Sequence, residues 1–257
     1  MFTDLRLVAT PDGWESGRRV CEALPMEIGV LGGTGPQGRG IATRLAGLGH
    51  RVTVGSRELE RSATVVAELR ERWGERVADM HSGDNTDAAR ADVVVLATVW
   101  HAAVATAAAH ADQLAGKTVV VIANGLSREG RAFRPTPPAE GSIAEAVQSA
   151  VPAARVVAAF HLVPAAALGD LDRVLDADVP VVADDDDARS EILDLVDAIG
   201  GLRGLDAGPL WNARGIESFA AVLLTLNLRH RGEGSLRVVG IGPRRTPDRS
   251  DASGSAA

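Results

Sequence analysis

The sequence predicts an α/β protein built on a Rossmann-type doubly wound parallel sheet. Three observations predict it. Strand-length apolar runs alternate with helical patterns, the order that builds a parallel sheet covered on both faces. Two of the runs, 92–97 and 118–122, are continuously apolar, as strands buried on both faces must be. The first run, Ile28-Gly29-Val30-Leu31, passes straight into a glycine-rich turn and then a helical pattern, so its glycines sit where a dinucleotide-binding turn needs them.

Taken in order, residues 1–25 carry Pro11, Gly13, Gly17 and Pro25 without sustained periodicity. They are expected to be an extension outside the core, with Met26 as the natural start. The NADP-binding Rossmann domain is expected over 26–160. It opens with a strand at 27–32, a helix at 36–47 with Pro36 in its first turn, a strand at 51–55 and a helix at 57–73 that ends on a packing Trp73. A short strand at 77–80 and a short helix at 85–90 precede the apolar strand at 92–97. An Ala-rich helix at 101–114 leads to the strand at 118–122. The Gly- and Pro-rich stretch 124–141 is expected to be an ordered loop, followed by a helix at 142–149 and a strand at 155–160. The remaining stretch runs over 161–240. It holds His161-Leu162-Val163-Pro164, strands at 179–183 and 202–206, and helices near 187–199 and 212–230. The run Asp184-Asp185-Asp186-Asp187 is read as the cap of the first of these helices and not as a metal site. Residues 241–257 are expected to be a disordered tail.

Composition narrows the function classes. The 257 residues carry a net charge of −7, which argues against a nucleic-acid partner. The single cysteine, Cys21, excludes an internal disulfide framework and a cysteine-built zinc site. No apolar run reaches membrane-spanning length, and no secretory signal opens the chain, so a cytoplasmic protein is expected. The absence of tyrosine rules out a Tyr-Lys reductase. The only lysine, Lys117, precedes a buried strand and is poorly placed for acid–base work. The stripe Phe219, Val222, Leu223 and Leu226 repeats at helical spacing and is read as core or subunit interface. It exceeds what a small domain can cover, so a homodimer is expected.

Gly33, Gly35 and Gly38 fit G-x-G-x-x-G. The first permits the turn, the second lets backbone approach a pyrophosphate, and the third lets helix pack on strand. The helix N-terminus offers unpaired N–H groups to the phosphates. The next strand ends Gly55-Ser56-Arg57, with Arg61 four residues on. A carboxylate there would serve the ribose hydroxyl of NAD. A serine and a guanidinium bind a 2′-phosphate instead, at roughly 1.5–3 kcal/mol per charged hydrogen bond. The alternatives are that Ser56 merely caps the next helix while both arginines are solvated, and that Glu58 serves a ribose.

The run Leu31-Gly32-Gly33-Thr34-Gly35, the strand end Gly55-Ser56-Arg57 and the late segment Leu205-Asp206-Ala207-Gly208-Pro209-Leu210, followed by Asn212-Ala213-Arg214 and Glu217-Ser218, closely resemble the NADPH-dependent coenzyme F420 reductase family. The resemblance covers residues 26 to about 238. It implies a Rossmann domain with a small C-terminal α+β domain over 161–240, which completes the deazaflavin pocket, and reversible hydride transfer between NADP(H) and coenzyme F420, an 8-hydroxy-5-deazaflavin. By position it implies Thr34, Gly35, Pro36 and Gln37 as the pyrophosphate loop, and Ser56, Arg57 and Arg61 as the 2′-phosphate contacts. Trp100 and Val104 fall on the adenosine or ribose side, and Asn124 where a loop passes the cofactor. His161, Val163 and Ala165 fall at the walls around nicotinamide and deazaflavin, and Leu236 where the pocket closes. Asn124-Gly125 and Trp211 depart from the family pattern, which concerns the shape of the pocket.

Hydride transfer between two flat rings needs orientation more than a nucleophile. His161, at the carboxyl end of a strand, is accordingly expected to position or pack, with acid–base duty as the lesser alternative. Two rival readings use the same scaffold: an NADPH-dependent imine or ketone reductase, which would call for a longer all-helical C-terminal domain, and a non-enzymatic NADPH sensor.

Overall fold

The computed structural model describes residues 25–242; the expectations for 1–24 and 243–257 lie outside the described residues. β1 (Glu27–Leu31) leads to α1 (Pro36–Ala46), β2 (Arg51–Ser56), α2 (Leu59–Trp73) and β3 (Met80–Asp84). The single turn α3 (Asn85–Ala88) precedes β4 (Val93–Leu96), α4 (Trp100–Ala109), α5 (Ala111–Leu114) and β5 (Thr118–Val121). Then come a two-stranded hairpin, β6 (Leu126–Glu129) and β7 (Ala132–Pro135), with α6 (Ile143–Ala150) and β8 (Arg155–Ala158) after it. The chain ends with α7 (Ala165–Leu168), β9 (Ala177–Ala183), α8 (Asp186–Ala198), β10 (Leu202–Asp206) and α9 (Ala213–His230).

Eight strands form one sheet in the order β10-β9-β8-β5-β4-β1-β2-β3. From β3 to β8 every neighbour is parallel. The chain proceeds from β1 to β2 on one side and returns at β4 on the other. The connections leaving the carboxyl ends of β1 and β4 therefore diverge, and that switch point is where open α/β sheets bind ligands. Side chains alternate between two apolar layers. Ile41 and Leu45 of α1, Val65 of α2 and Ile192 of α8 share one with Val30, Val52 and Val179. Ala103 of α4 and Val147 of α6 share the other with Leu31, Val94 and Val119.

The parallel run of the sheet ends at β8, because β9 pairs antiparallel with it. Only the four-residue α7 lies between them, and without a crossover helix the chain runs back beside the strand it has just left. β10 then pairs parallel with β9, so the strands of 161–240 extend the main sheet. The stretch 124–141 holds the β6–β7 hairpin and is not wholly loop. Its sequence is too short and polar to announce strands. Packing against α9 supports it, with the Phe133 amide donating to Thr225 Oγ1 at 2.9 Å. β3 begins where 77–80 was expected to end, because Val77 is buried from a short 3-10 turn instead. The helix expected over 101–114 breaks at His110. Asp185 caps α8 as expected, its carboxylate accepting from the Ala188 amide at 2.8 Å.

Candidate active site

The turn after β1 is shaped by close backbone packing. A Cβ on Gly38 would lie 2.6 Å from Gly33 Cα, and one on Gly33 would lie 2.9 Å from Val30 O. Both glycines therefore serve the contact of α1 with β1. Gly35 differs. Its φ of −78° suits any residue, and a Cβ there would meet nothing nearer than Gly32 O at 3.9 Å. Nothing among the described residues requires glycine at this position. What the bare backbone does is leave the N-terminus of α1 open, with no side-chain cap and no acidic residue in the first turn. Unpaired N–H groups and the positive end of a helix dipole suit a phosphate.

The amide of Gly33 donates to Gly55 O at 2.9 Å, which ties this turn to the end of β2. Ser56 follows at once and is buried. Its hydroxyl oxygen accepts from the Glu58 amide at 3.2 Å, so the local turn expected of a serine exists, although the residue preceding α2 is Glu58 itself. Arg57 and Arg61 are exposed, and no described residue pairs with either guanidinium. Glu58 is exposed as well. Asn85, not singled out by the sequence, supports the turn from α3 by accepting from the Gly32 amide at 3.2 Å.

A cavity of about 450 Å³ adjoins the phosphate turn, and Gln37, Asn124, His161, Val163 and Ala165 all line it. Phe160 enters this region with φ of +61°, a left-handed conformation that costs a non-glycine residue roughly 1–2 kcal/mol. It redirects the chain from β8 into the cavity wall. Two carboxamides hold that wall. Gln37 Nε2 donates to Val163 O at 3.1 Å, and Asn124 Nδ2 donates to His161 O at 3.2 Å. Only an NH₂ can donate to a carbonyl, so both amide orientations are fixed. Their oxygens, and both ring nitrogens of His161, are buried without a partner among the described residues. Burial holds the His161 pKa down at about 4, so the ring is neutral near pH 7 and offers one donor and one acceptor. Buried polar atoms left unpaired are uncommon in folded proteins, and their gathering beside one cavity marks it as a site for a polar ligand.

Leu236 packs against Leu162, Ala220 and Leu223 beside the cavity. In the sequence Leu223 of α9 reads as core or interface and not as cavity wall, and neither Leu224 nor the wall Gly232, Glu233 and Gly234 is signalled at all. A helical stripe reads as core whether it faces protein or a ligand, and the late segment has no secondary structure to signal it. Trp100 and Val104 do not line the cavity; they pack from α4 on the other layer of the sheet. Lys117 is held away from the site, its Nζ donating to Ala89 O and Arg90 O at 2.9 and 2.7 Å.

Residues 27–125 match the family model described as NADP oxidoreductase, coenzyme F420-dependent. The chain is 35% identical over 215 residues to the F420-dependent NADP reductase of Methanocaldococcus jannaschii, an alignment spanning 82% of this chain and 96% of that protein. It is likewise 35% identical to the F420-dependent NADP reductase of Methanothermobacter thermautotrophicus, over 82% of this chain and 93% of that one. Among solved structures, a protein of Arthrobacter sp. FB24 provisionally assigned as an F420-dependent NADP reductase superposes with a TM-score of 0.70. It is 32% identical, and the match covers 81% of this chain and 96% of that one.

Proposed function

Since the chain belongs to the F420-dependent NADP reductase family, we propose that it is an oxidoreductase transferring a hydride reversibly between NADP(H) and coenzyme F420. The nicotinamide coenzyme, when bound, supplies the hydride and the deazaflavin accepts it, or the reverse. This chain supplies binding, orientation and exclusion of water. Thr34 to Gln37 and the open N-terminus of α1 would hold the pyrophosphate. Ser56, Arg57 and Arg61 would hold the 2′-phosphate. Trp100 and Val104 would flank the adenosine side.

The observation that carries this reading is the cavity beside Gln37. It begins where the phosphate turn ends and is walled by Val163 and Ala165 on one side and by Leu223 and Leu224 on the other. Apolar side chains next to a dinucleotide turn suit two stacked rings. His161, neutral and buried, orients a ring by hydrogen bonding and does not shuttle protons. Leu236 would close the pocket.

In the same reading 26–160 is the NADP-binding unit and 161–240 the unit that completes the deazaflavin pocket. The protein works in the cytoplasm as a homodimer, through the exposed apolar face of α9. No helix among the described residues is long and apolar enough to cross a membrane. The test is to mix protein, NADPH and oxidised coenzyme F420 and follow bleaching of the deazaflavin absorbance. Turnover is expected. Turnover with imines or ketones and none with coenzyme F420 would overturn the reading, and NADPH binding without turnover of any acceptor would leave a sensor.

A further inference from the structure

Among the described residues, the chain after α9 carries no helix or strand, yet it forms a wall of the cavity. Gly232, Glu233 and Gly234 line the 450 Å³ cavity, and Glu233 and Gly234, like Val163 and Pro164, also line a second cavity of about 260 Å³. The position of this strap therefore bears on the width of the space it shares with His161 and Leu223. A segment with no ladder of its own must find partners for its backbone groups elsewhere. At its start, Asn227 bonds Gly234 twice, accepting from its amide at 2.7 Å and donating to its carbonyl at 3.2 Å.

Further along, the partners converge on one residue of β9. Asp178 is fully buried. Its amide donates to Leu236 O at 2.8 Å, and its carboxylate accepts from the Val238 amide at 2.6 Å. The same carboxylate accepts two bonds from Arg203 of β10, at 2.8 and 2.6 Å, and one from Arg237 of the strap at 2.9 Å. Arg203 in turn donates to Val238 O at 2.8 Å and Ile241 O at 2.9 Å. Ion clusters of this kind seldom stabilise a fold more than apolar side chains of the same volume would. Their distinctive property is geometry, because a planar guanidinium on a carboxylate admits few arrangements. Apolar contacts would let the strap slide along the sheet edge, whereas this cluster fixes its register.

We propose that Asp178, with Arg203 and Arg237, is a positioning residue for the deazaflavin side of the reaction: it locks residues 234–241 so that the strap holds the cavity at the width of a flat ring. This rests on the coenzyme F420 reading above. It acts through Gly232 to Leu236 and touches neither coenzyme.

The experiment uses the full chain with Arg237→Ala, Arg237→Lys and Asp178→Asn. Steady-state kinetics is measured for each coenzyme, with calorimetry of NADPH binding and hydrogen exchange of the strap amides. Arg237→Ala is expected to raise KM for coenzyme F420 about fivefold or more, in line with the loss of a charged hydrogen bond. Its NADPH affinity should stay within twofold of the parent and its Val238 amide should exchange faster. Arg237→Lys should recover part of the KM, and Asp178→Asn should exceed Arg237→Ala. If Asp178→Asn does not fold, Arg237→Ala decides, because Arg237 is half exposed on the strap itself. Faster strap exchange with unchanged KM for both coenzymes would overturn the proposal, as would equal weakening of both. A parent protein that never reduces coenzyme F420 would instead overturn the underlying reading.

Discussion

Two glycines three residues apart illustrate how differently one residue type is used. Gly38 is required by the fold, since a methyl group there would overlap the backbone of Gly33. Gly38→Ala is expected to lower stability by about 1–3 kcal/mol, the usual cost of overpacking. Gly35 has room for a methyl group, so Gly35→Ala should melt within a degree or two of the parent yet bind NADPH at least tenfold more weakly. Thermal melts with calorimetry check both, and a Gly35→Ala variant with parental affinity would dismiss the phosphate role. Arg57 is exposed and paired with no described residue, so its loss should cost the fold nothing. Arg57→Ala is expected to weaken NADPH binding by about tenfold or more and NADH binding hardly at all. Equal affinities of the parent for NADPH and NADH would contradict the assignment. The sequence offers Ser56 and Arg57 as the proposed 2′-phosphate contacts because the two are adjacent at the end of one strand. Nothing in the sequence indicates that Gln37 and Asn124 brace the 161–163 wall, since those hydrogen bonds join residues 126 and 37 positions apart.

At the scale of elements, α9 is joined to α6 by a buried carboxylate. Glu217 is 5% exposed and accepts from the amides of Ile143 and Ala144 at 2.9 and 3.1 Å. Burial pushes its pKa up to about 7, against the pull of those amides and with a further push from Glu145. A carboxyl group whose folded pKa lies above its unfolded one favours folding most below pH 4.5. That contribution is lost as pH rises towards 7, about 3 kcal/mol in all. His161 slopes the other way. Its folded pKa of about 4 lies below the unfolded 6.5, so its contribution is present above pH 6.5 and is lost as pH falls towards 4. Glu217→Gln removes the first slope and leaves the second. The melting temperature of the variant relative to the parent should therefore rise by about 5 °C or more between pH 5 and pH 8; a constant difference would show that Glu217 does not titrate in the folded state. The hairpin against α9 shows why some elements escape the sequence. Leu-Ser-Arg-Glu and Ala-Phe-Arg-Pro acquire strand structure from their register with each other and from Thr225 of α9, not from apolar alternation of their own.

On the whole molecule, α9 presents an apolar face that the described residues leave uncovered. Val222 is 51% exposed and Trp211, just before the helix, 58%, with Phe219 and Leu226 exposed beside them. Of the stripe expected to be core or interface, Leu223 alone is buried. A contiguous apolar face of this kind is typical of an association surface, in keeping with the proposed homodimer. Phe219→Asp combined with Val222→Asp is expected to halve the mass measured by sedimentation equilibrium. A parent protein that sediments as a monomer would remove the dimer, and with it the explanation for this face.

The sequence by itself determined the layered parallel sheet, the glycine-rich turn after β1 and the adjacent pair Ser56 and Arg57 on which the proposed preference for NADP rests. Each of these is local: a run of valines, a spacing of three glycines, a serine and an arginine in succession. Tertiary structure alone decided that β9 turns back along β8, that Asp178 anchors a strap some 60 residues away, and that α9 and the strap complete the cavity begun by Gln37. Those features depend on which distant groups satisfy one another's hydrogen bonds and charges once buried. Such pairings leave no period or spacing in the chain, because the partners meet only after the sheet has formed.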